Sequence, residues 1–416
     1  MLERVQPARP AEPGTGAVTP WRSAPLALLL FSSTLGVLGG AIIVPVLEVI
    51  RGGLGITGTQ AGLILTTHGL AMALCSPLTG RIVDRWGIRR PMAGGLLLYG
   101  LGGGSGLVTT TYPALLAGRF VFGAGAAMVF TATTVALLSL YRGTLRDRVM
   151  GWRSVATTAG GVLWPMAAGL LGGLSWHTPF AIYLIGVPLG LAALLFVPDT
   201  RPAPQGADSG GVIRLFRRRP RLIGLYTLLM ATALMMFVLA VFMPQRLAEV
   251  GVEDPFVVSI YSVVTGAAMA SLVGMVYARV RARCSYAALL RTAAAAWTLG
   301  FLVFGVADHP LLLLVVPVLT GLGTGIVFPA LTVLIDETAP RELRGRATSL
   351  QGTFNFVGQF TSPLLFGPLI AATSITTGSL VTAGLAGLIL LVLLLATVPE
   401  PPRPDTGAPQ GTAARG

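Results

Sequence analysis

The chain has 416 residues, of which 53% are hydrophobic and 11% charged, and its mean hydropathy is +0.77. An ordinary globular domain has about 25% charged residues, so this composition excludes a conventional soluble protein and favours lipid as the solvent. All 29 cations are arginine against 16 acids, and the net charge of +13, taken alone, indicates nucleic acid or an anionic membrane as a partner.

Apolar runs of about 20 residues, the length that crosses the hydrocarbon core of a bilayer, recur along the chain. The runs are nearly continuous rather than alternating, which favours helices over barrel strands. We predict about twelve transmembrane helices, at residues 24–47, 58–80, 91–109, 113–138, 151–173, 178–197, 222–244, 256–276, 286–306, 311–334, 347–370 and 375–398. The segments 1–23 and 400–416 are predicted to be disordered cytoplasmic tails.

Arginine is concentrated on alternate connections between the predicted helices. The arginine-rich connections are 81–90, 142–153, 214–221, 279–283 and 341–346, whereas 246–254 is net acidic. By the positive-inside rule these connections and both termini are cytoplasmic, in a bacterial inner (plasma) membrane protein. The longest connection, 199–221, is predicted to be a cytoplasmic linker held against anionic headgroups rather than a nucleic-acid surface.

The second half of the sequence repeats the first at a spacing of 198 residues. Aligned without gaps, residues 113–172 and 311–370 share about 16 identities, roughly twice what biased composition gives. The identities include Gly123/Gly321, Phe130/Phe328, Arg146/Arg344 and Pro165/Pro363. The repeat predicts two parallel six-helix halves, 24–198 and 222–399, that enclose one substrate pathway.

The connection between the second and third predicted helices reads GRIVDRWGIRR. It resembles the signature loop of the major facilitator superfamily, with an isoleucine where the family usually has arginine; the matching residues are Gly80, Asp84, Arg85, Gly87, Arg89 and Arg90. With twelve spans and the repeat, the resemblance covers nearly the whole chain. It implies an all-α membrane protein of two pseudo-symmetric six-helix halves. It also implies that this loop closes the cytoplasmic side, with Arg142 as a partner of Asp84.

Two further segments resemble motifs of the family's drug/proton antiporters. The segment RFVFGAGAA, which begins at Arg119, is similar to the helix-four motif linked to proton coupling, with Phe122 where glutamine is frequent. The segment GGVLWPMAAGLLGG is incompletely similar to the antiporter motif of helix five, through Gly160, Gly161, Trp164, Pro165 and Gly169. The resemblance implies export. The structural alternatives are that Arg119 bonds to backbone carbonyls or extends outward, and that helix five is only closely packed.

Other polar residues inside the apolar runs are candidates for the pathway. His68 lies near the midplane and suits protonation switching, with Glu48 as the next candidate. Gln351, Asn355 and Gln359 share one helix face. Since helices two and eleven face each other in the family, we expect this face to meet His68. For His68 and for this polar face, interhelical hydrogen bonding is the alternative. Weaker lining candidates are Ser33, Tyr261 and Thr320.

No phosphate-binding loop, zinc-ligand spacing or catalytic motif occurs, so we expect neither an enzyme nor a cofactor or metal. We predict a monomeric secondary transporter that exports a small organic, drug-like or metabolite compound in exchange for protons, by alternating access. A proton-linked importer of a small organic anion, bound by Arg119, is the alternative. A non-transporting receptor or scaffold is a third hypothesis, which the repeat and the intact signature loop disfavour.

Overall fold

The computed structural model describes residues 24–198, 212–340 and 343–395. Within these ranges all regular structure is helical, which confirms the predicted all-α class. The predicted tails 1–23 and 400–416, and residues 199–211 of the predicted linker, lie outside the described residues.

Twelve long helical elements follow the twelve predicted apolar runs. They are α1 (Ala24–Thr34 and Leu38–Leu54), α2 (Gly58–Trp86), α3 (Arg89–Gly104), α4 (Tyr112–Leu140), α5 (Gly143–Gly172), α6 (Thr178–Phe196), α7 (Arg221–Glu249), α8 (Pro255–Arg283), α9 (Tyr286–Val306), α10 (Pro310–Thr338), α11 (Arg344–Ala372) and α12 (Ile375–Leu395). Nine helices in the described ranges are long and apolar enough to span a membrane, and the two parts of α1 together make a tenth. The others are α3, which is shorter, and α11, which carries the predicted polar face.

Side-chain caps set the starts of several helices. Thr57 accepts a hydrogen bond from the backbone of Gln60, whose side chain accepts one from Thr57, forming a capping box at α2. The Asp254 carboxylate caps α8 by accepting from the backbone of Val257. Each cap satisfies helix N–H groups that have no partner within the helix.

Helix α1 is broken rather than continuous as predicted. Its two parts meet at 50°, joined by a short 3₁₀ turn at Leu35–Val37, and a second irregular turn precedes Leu47. Three glycines and Pro45 occupy this stretch, and proline removes a helix hydrogen bond. The break interrupts the regular helical hydrogen bonding inside the first half, so backbone carbonyls there can also accept from side chains of other helices.

The two halves meet at the end of the bundle opposite to the arginine-rich connections. There Gly62 of α2 lies against Pro363 of α11, and Gly169 of α5 lies against Phe256 of α8. A Cβ atom at either glycine would overlap its neighbour, so the small residues allow the backbones to approach. We call this end the closed end, and the end that carries the arginine-rich connections the arginine-rich end.

A short linker helix, Val212–Arg218, lies within the predicted linker. Leu215 is fully buried, and the Phe216 ring lies 5.7 Å from the ring of Tyr226 and 6.5 Å from that of Phe354. The arginines around it are exposed. This part of the connection therefore packs on the second half and presents its positive charge outward.

Candidate transport pathway

Arg119 lies in the core of the first half and is 1% exposed. Its Nε donates to the Ile64 carbonyl at 3.2 Å, Nη1 donates to the Tyr183 hydroxyl at 3.1 Å, and Nη2 donates to the Gly39 carbonyl. The ring of Phe122, the residue that replaces the family's usual glutamine, lies 4.5 Å from the guanidinium carbon. Four protein groups from α1, α2, α4 and α6 therefore surround this cation.

Three carbonyls at the break in α1 accept hydrogen bonds from side chains of other helices. The Tyr99 hydroxyl donates to the Leu35 carbonyl at 3.1 Å, and the Tyr183 hydroxyl donates to the Leu38 carbonyl at 3.2 Å. With Arg119 on Gly39, three donors hold the broken segment. No sequence motif marks either tyrosine, and the only signal in the sequence is the run of glycines in an apolar span.

His68 lies beside Arg119 and not across the pathway from α11. Its Nδ1 is 3.2 Å from Nη2 of Arg119 and 2.7 Å from the Leu65 carbonyl, and its ring packs against Gly39. A protonated imidazole would place a second cation next to the guanidinium. The expectation that His68 meets the polar face of α11 is wrong, because its ring points into the first half, toward Arg119 and Gly39. The residue of α2 that contacts α11 at this level is the neighbouring Gly69.

Glu48 lies near the closed end, on the last part of α1. Its carboxylate pairs with Arg51 at 2.8 Å, and both side chains are about one-third exposed. Glu249, at the end of α7 in the other half, is near enough to act on Glu48 electrostatically. Glu249 is itself paired with Arg246 at 2.8 Å, so one acid–arginine pair from each half lies at this end.

The signature loop lies at the arginine-rich end, as the sequence order requires. Gly87 has a φ of +77°, where a side chain would be strained, and α3 starts two residues later. Asp84 is exposed and makes no ion pair or hydrogen bond within residues 24–198, 212–340 and 343–395; Arg142, which precedes α5, is exposed too. The expected contact between Asp84 and Arg142 is absent from this conformation. The other loop residues, Gly80, Arg85, Arg89 and Arg90, surround the same turn.

The helix-five motif packs against α1. Trp164 Nε1 donates to Thr34 Oγ1 at 3.2 Å, and its ring meets that of Phe31 edge-on at 6.1 Å. Gly160 lies against the Thr34 backbone. Gly161 and Pro165 are buried in α5, Gly169 belongs to the closed end, and the Ser33 hydroxyl bonds to its own helix. The incomplete motif therefore forms a contact between the two helices.

In the second half, the predicted polar face of α11 points partly toward α10. Thr332 donates to Oε1 of Gln351 at 3.4 Å. Nε2 of Gln351 and Oδ1 of Asn355 are shielded from solvent and have no hydrogen-bond partner among the described residues. Gln359 lies near Gly69 of α2. Tyr261 lies in a π-helical turn of α8, and Thr320 bonds to its own helix.

By sequence, Arg153 belongs to the arginine-rich connection 142–153. In the structure it is half-buried, its Nη2 donates to Thr134 Oγ1 of α4 at 2.8 Å, and its guanidinium lies 5.4 Å from the centre of the Phe130 ring. The available signal was its position ten residues into α5, about 15 Å along the helix.

Comparisons with known proteins agree with this architecture. A model of the Major Facilitator Superfamily matches residues 29–363 and 255–415. The Bacillibactin exporter of Bacillus subtilis (strain 168) is 25% identical, over 80% of this chain and 87% of its own. The Quinolone resistance protein NorA of Staphylococcus aureus (strain MRSA252) is 24% identical, over 82% and 89%.

Solved structures share the fold at low sequence identity. The nucleoside transporter NupG superposes with a TM-score of 0.73 at 15% identity, over 89% of this chain and 98% of its own. A bacterial homologue of the human lysosomal transporter Spinster, in an inward-facing and occupied conformation, gives 0.75 at 15% identity, over 91% and 97%. At this identity the likeness concerns the fold alone.

Proposed function

The chain belongs to the major facilitator superfamily, and from this premise we propose that it exports small amphipathic organic compounds in exchange for protons. Membership makes it an integral membrane transporter and not an enzyme. Support for export comes from two relatives that match about four-fifths of the chain and are named as an exporter and as a drug-resistance protein. We propose that one monomer carries one pathway between its halves.

The observation that carries the mechanism is the one-sided contact between the halves. Close packing of Gly62 on Pro363 and of Gly169 on Phe256 shuts one end, whereas Asp84 at the other end is exposed. By the positive-inside rule the arginine-rich end faces the cytoplasm, as do both termini. This conformation is then inward-facing, the state in which an exporter takes up its cargo.

Alternating access requires the closed end to open and the arginine-rich end to close. In the second state, Asp84 would gain the cationic partner that it does not have among the described residues here, since an anion near several arginines is stabilised by pairing. At the closed end Glu48 and Glu249 repel each other, although an arginine bound to each acid offsets part of this repulsion. Protonation of either acid removes the repulsion and weakens its own ion pair. Proton binding and the position of the two halves are thereby coupled.

The chemistry of the cargo follows from the side chains of the central helices. Phe31 and Phe130 are 37% and 53% exposed, and Trp164 lies beside Phe31. Aromatic faces bind flat apolar groups over a large area. Few fixed charges accompany them, which favours amphipathic compounds over sugars or phosphates.

Transport by purified protein in liposomes tests this function. A panel of fluorescent amphipathic compounds without titratable amines is offered under a pH gradient of either sign, with empty liposomes as the blank. Proton exchange predicts accumulation in liposomes with an acidic interior and faster collapse of the gradient. Accumulation in liposomes with an alkaline interior would identify an importer that carries its substrate together with protons. A transport rate that does not depend on the pH gradient would overturn proton coupling.

A further inference from the structure

Arg153 of α5 lies against α4 and has no acidic partner among the described residues. Arg153 makes one hydrogen bond, to Thr134, and stacks over Phe130. It forms no ion pair with any of the described residues. A guanidinium has five N–H donors, so most of its donors remain available. Half-burial strengthens its interaction with an anion over that in bulk water.

The internal repeat places an uncharged copy of this cluster in the other half. A shift of 198 residues carries Phe130, Thr134 and Arg153 onto Phe328, Thr332 and Gln351, respectively. The contact is repeated as well, because Thr332 donates to Gln351 at 3.4 Å just as Arg153 donates to Thr134. Repeats related by an axis along the membrane normal put equivalent residues at equal depth on opposite sides of the pathway.

The second cluster contains polar atoms that lack partners. Nε2 of Gln351 and Oδ1 of Asn355 are buried without a hydrogen bond to any described residue. The two residues lie one turn apart on the same face of α11. Buried amide groups are ordinarily paired, and each unpaired one is unfavourable. One donor and one acceptor are therefore left unpaired on this face of α11.

We propose that the two clusters form an anion subsite, which binds the carboxylate of an amphipathic cargo between Arg153 and Gln351. Asn355 accepts a hydrogen bond from a hydroxyl or N–H group of the same molecule, and Phe130 covers part of its apolar body. The inference rests on the proposed transport function and specifies its cargo as an organic acid. It assigns anion recognition to Arg153 and not to Arg119, because the guanidinium of Arg119 is already hydrogen-bonded to protein groups.

The experiment compares a xanthene dye that carries a free carboxylate with the methyl ester of the same dye. Binding is measured by fluorescence anisotropy to protein in lipid nanodiscs, with empty nanodiscs as the blank. We expect the wild type to bind the acid more tightly. Arg153→Gln should weaken binding of the acid about tenfold to a hundredfold, as expected for loss of a charged hydrogen bond. Ester binding should stay within about twofold.

An exchange variant separates the site from a general effect of charge. Because the clusters are related by the repeat, Arg153→Gln combined with Gln351→Arg returns the cation to the same depth and should restore preference for the acid. Arg148→Gln removes an exposed charge from the same helix and should leave both affinities unchanged. Equal binding of acid and ester by the wild type, or equal losses in Arg153→Gln, would overturn the anion subsite.

Binding does not depend on transport, so the two proposals fail separately. Preferential binding of the acid without transport driven by a pH gradient would leave the subsite in place and overturn proton-coupled export. Proton-driven export of both dyes, bound with equal affinity, would support proton-coupled export and overturn the anion subsite. Failure of the exchange variant to regain the preference, with its secondary structure intact, would also contradict the placement of Gln351 opposite Arg153.

Discussion

Replacing Tyr183 with phenylalanine should destabilise the protein more than the same replacement at Tyr99. Both tyrosines are fully buried in the first half, and both hydroxyls donate to carbonyls of the broken α1. They differ in one respect: the Tyr183 hydroxyl also accepts a hydrogen bond from Arg119 at 3.1 Å. Comparing the two variants therefore isolates the free energy of unfolding that is lost when Arg119 has no acceptor for its hydrogen bond.

The magnitudes follow from the partners that remain. Without the Tyr99 hydroxyl, the Leu35 carbonyl still accepts from the backbone of Leu38, so the loss is that of one neutral hydrogen bond, about 0.5–1.5 kcal/mol. Without the Tyr183 hydroxyl, the Leu38 carbonyl likewise loses one neutral hydrogen bond and keeps a backbone donor, from Ile42 at 3.5 Å, but Arg119 Nη1 also loses its acceptor. A hydrogen bond to a charged group contributes about 1.5–3 kcal/mol, which gives a total of about 2–4 kcal/mol.

The assay is reversible unfolding in mixed micelles, followed by circular dichroism, with the free energy of unfolding compared among wild type, Tyr99→Phe and Tyr183→Phe. We expect Tyr183→Phe to lose at least about 1 kcal/mol more than Tyr99→Phe. Equal losses, or a larger loss for Tyr99→Phe, would refute the claim that Tyr183 holds Arg119 and the broken helix together.

Three substitutions test the predicted roles in coupling and gating. Asp84→Asn should strongly reduce transport while surface labelling shows a normal amount of protein in the membrane. Near-normal transport would exclude a role for Asp84 in closing the cytoplasmic side. His68→Gln keeps a polar group near the Leu65 carbonyl and should change the pH profile of transport if His68 carries the proton, whereas an unchanged profile excludes it. Glu48→Gln removes the repulsion from Glu249 and should flatten the pH profile of transport, and a wild-type profile would argue against this acid pair.

The helices could be predicted from sequence because continuous apolar runs leave few alternatives. Their ends were less predictable: α2 was expected to end at residue 80 and continues to Trp86 through the signature loop. Polar side chains at a membrane surface do not oppose a helix, since its backbone hydrogen bonds are internal. The break in α1 was missed although Gly36, Gly39, Gly40 and Pro45 are visible in the sequence.

The candidate site depended on contacts that sequence spacing does not contain. His68 and Arg119 are 51 residues apart and meet only because α2 packs on α4. A histidine near the midplane has equal reason to face the pathway or the core, and here the glycine at position 39 makes room for it in the core. The repeat, by contrast, already contained the relation between Arg153 and Gln351, since the shift of 198 residues pairs them directly.

Cross-linking at the closed end tests alternating access most directly. A Cβ atom at Gly58 of the first half would lie 3.8 Å from Oε1 of Gln245 in the second, so Gly58→Cys and Gln245→Cys bring two thiols together. The native Cys75 and Cys284 are replaced by serine, and single-cysteine variants serve as controls. A short bis-methanethiosulfonate reagent, which joins two thiols through reducible disulfides with loss of methanesulfinate, should abolish transport in the double variant and leave the single variants active. Reductant should restore transport. Transport at the unmodified rate with the two halves cross-linked would contradict the account.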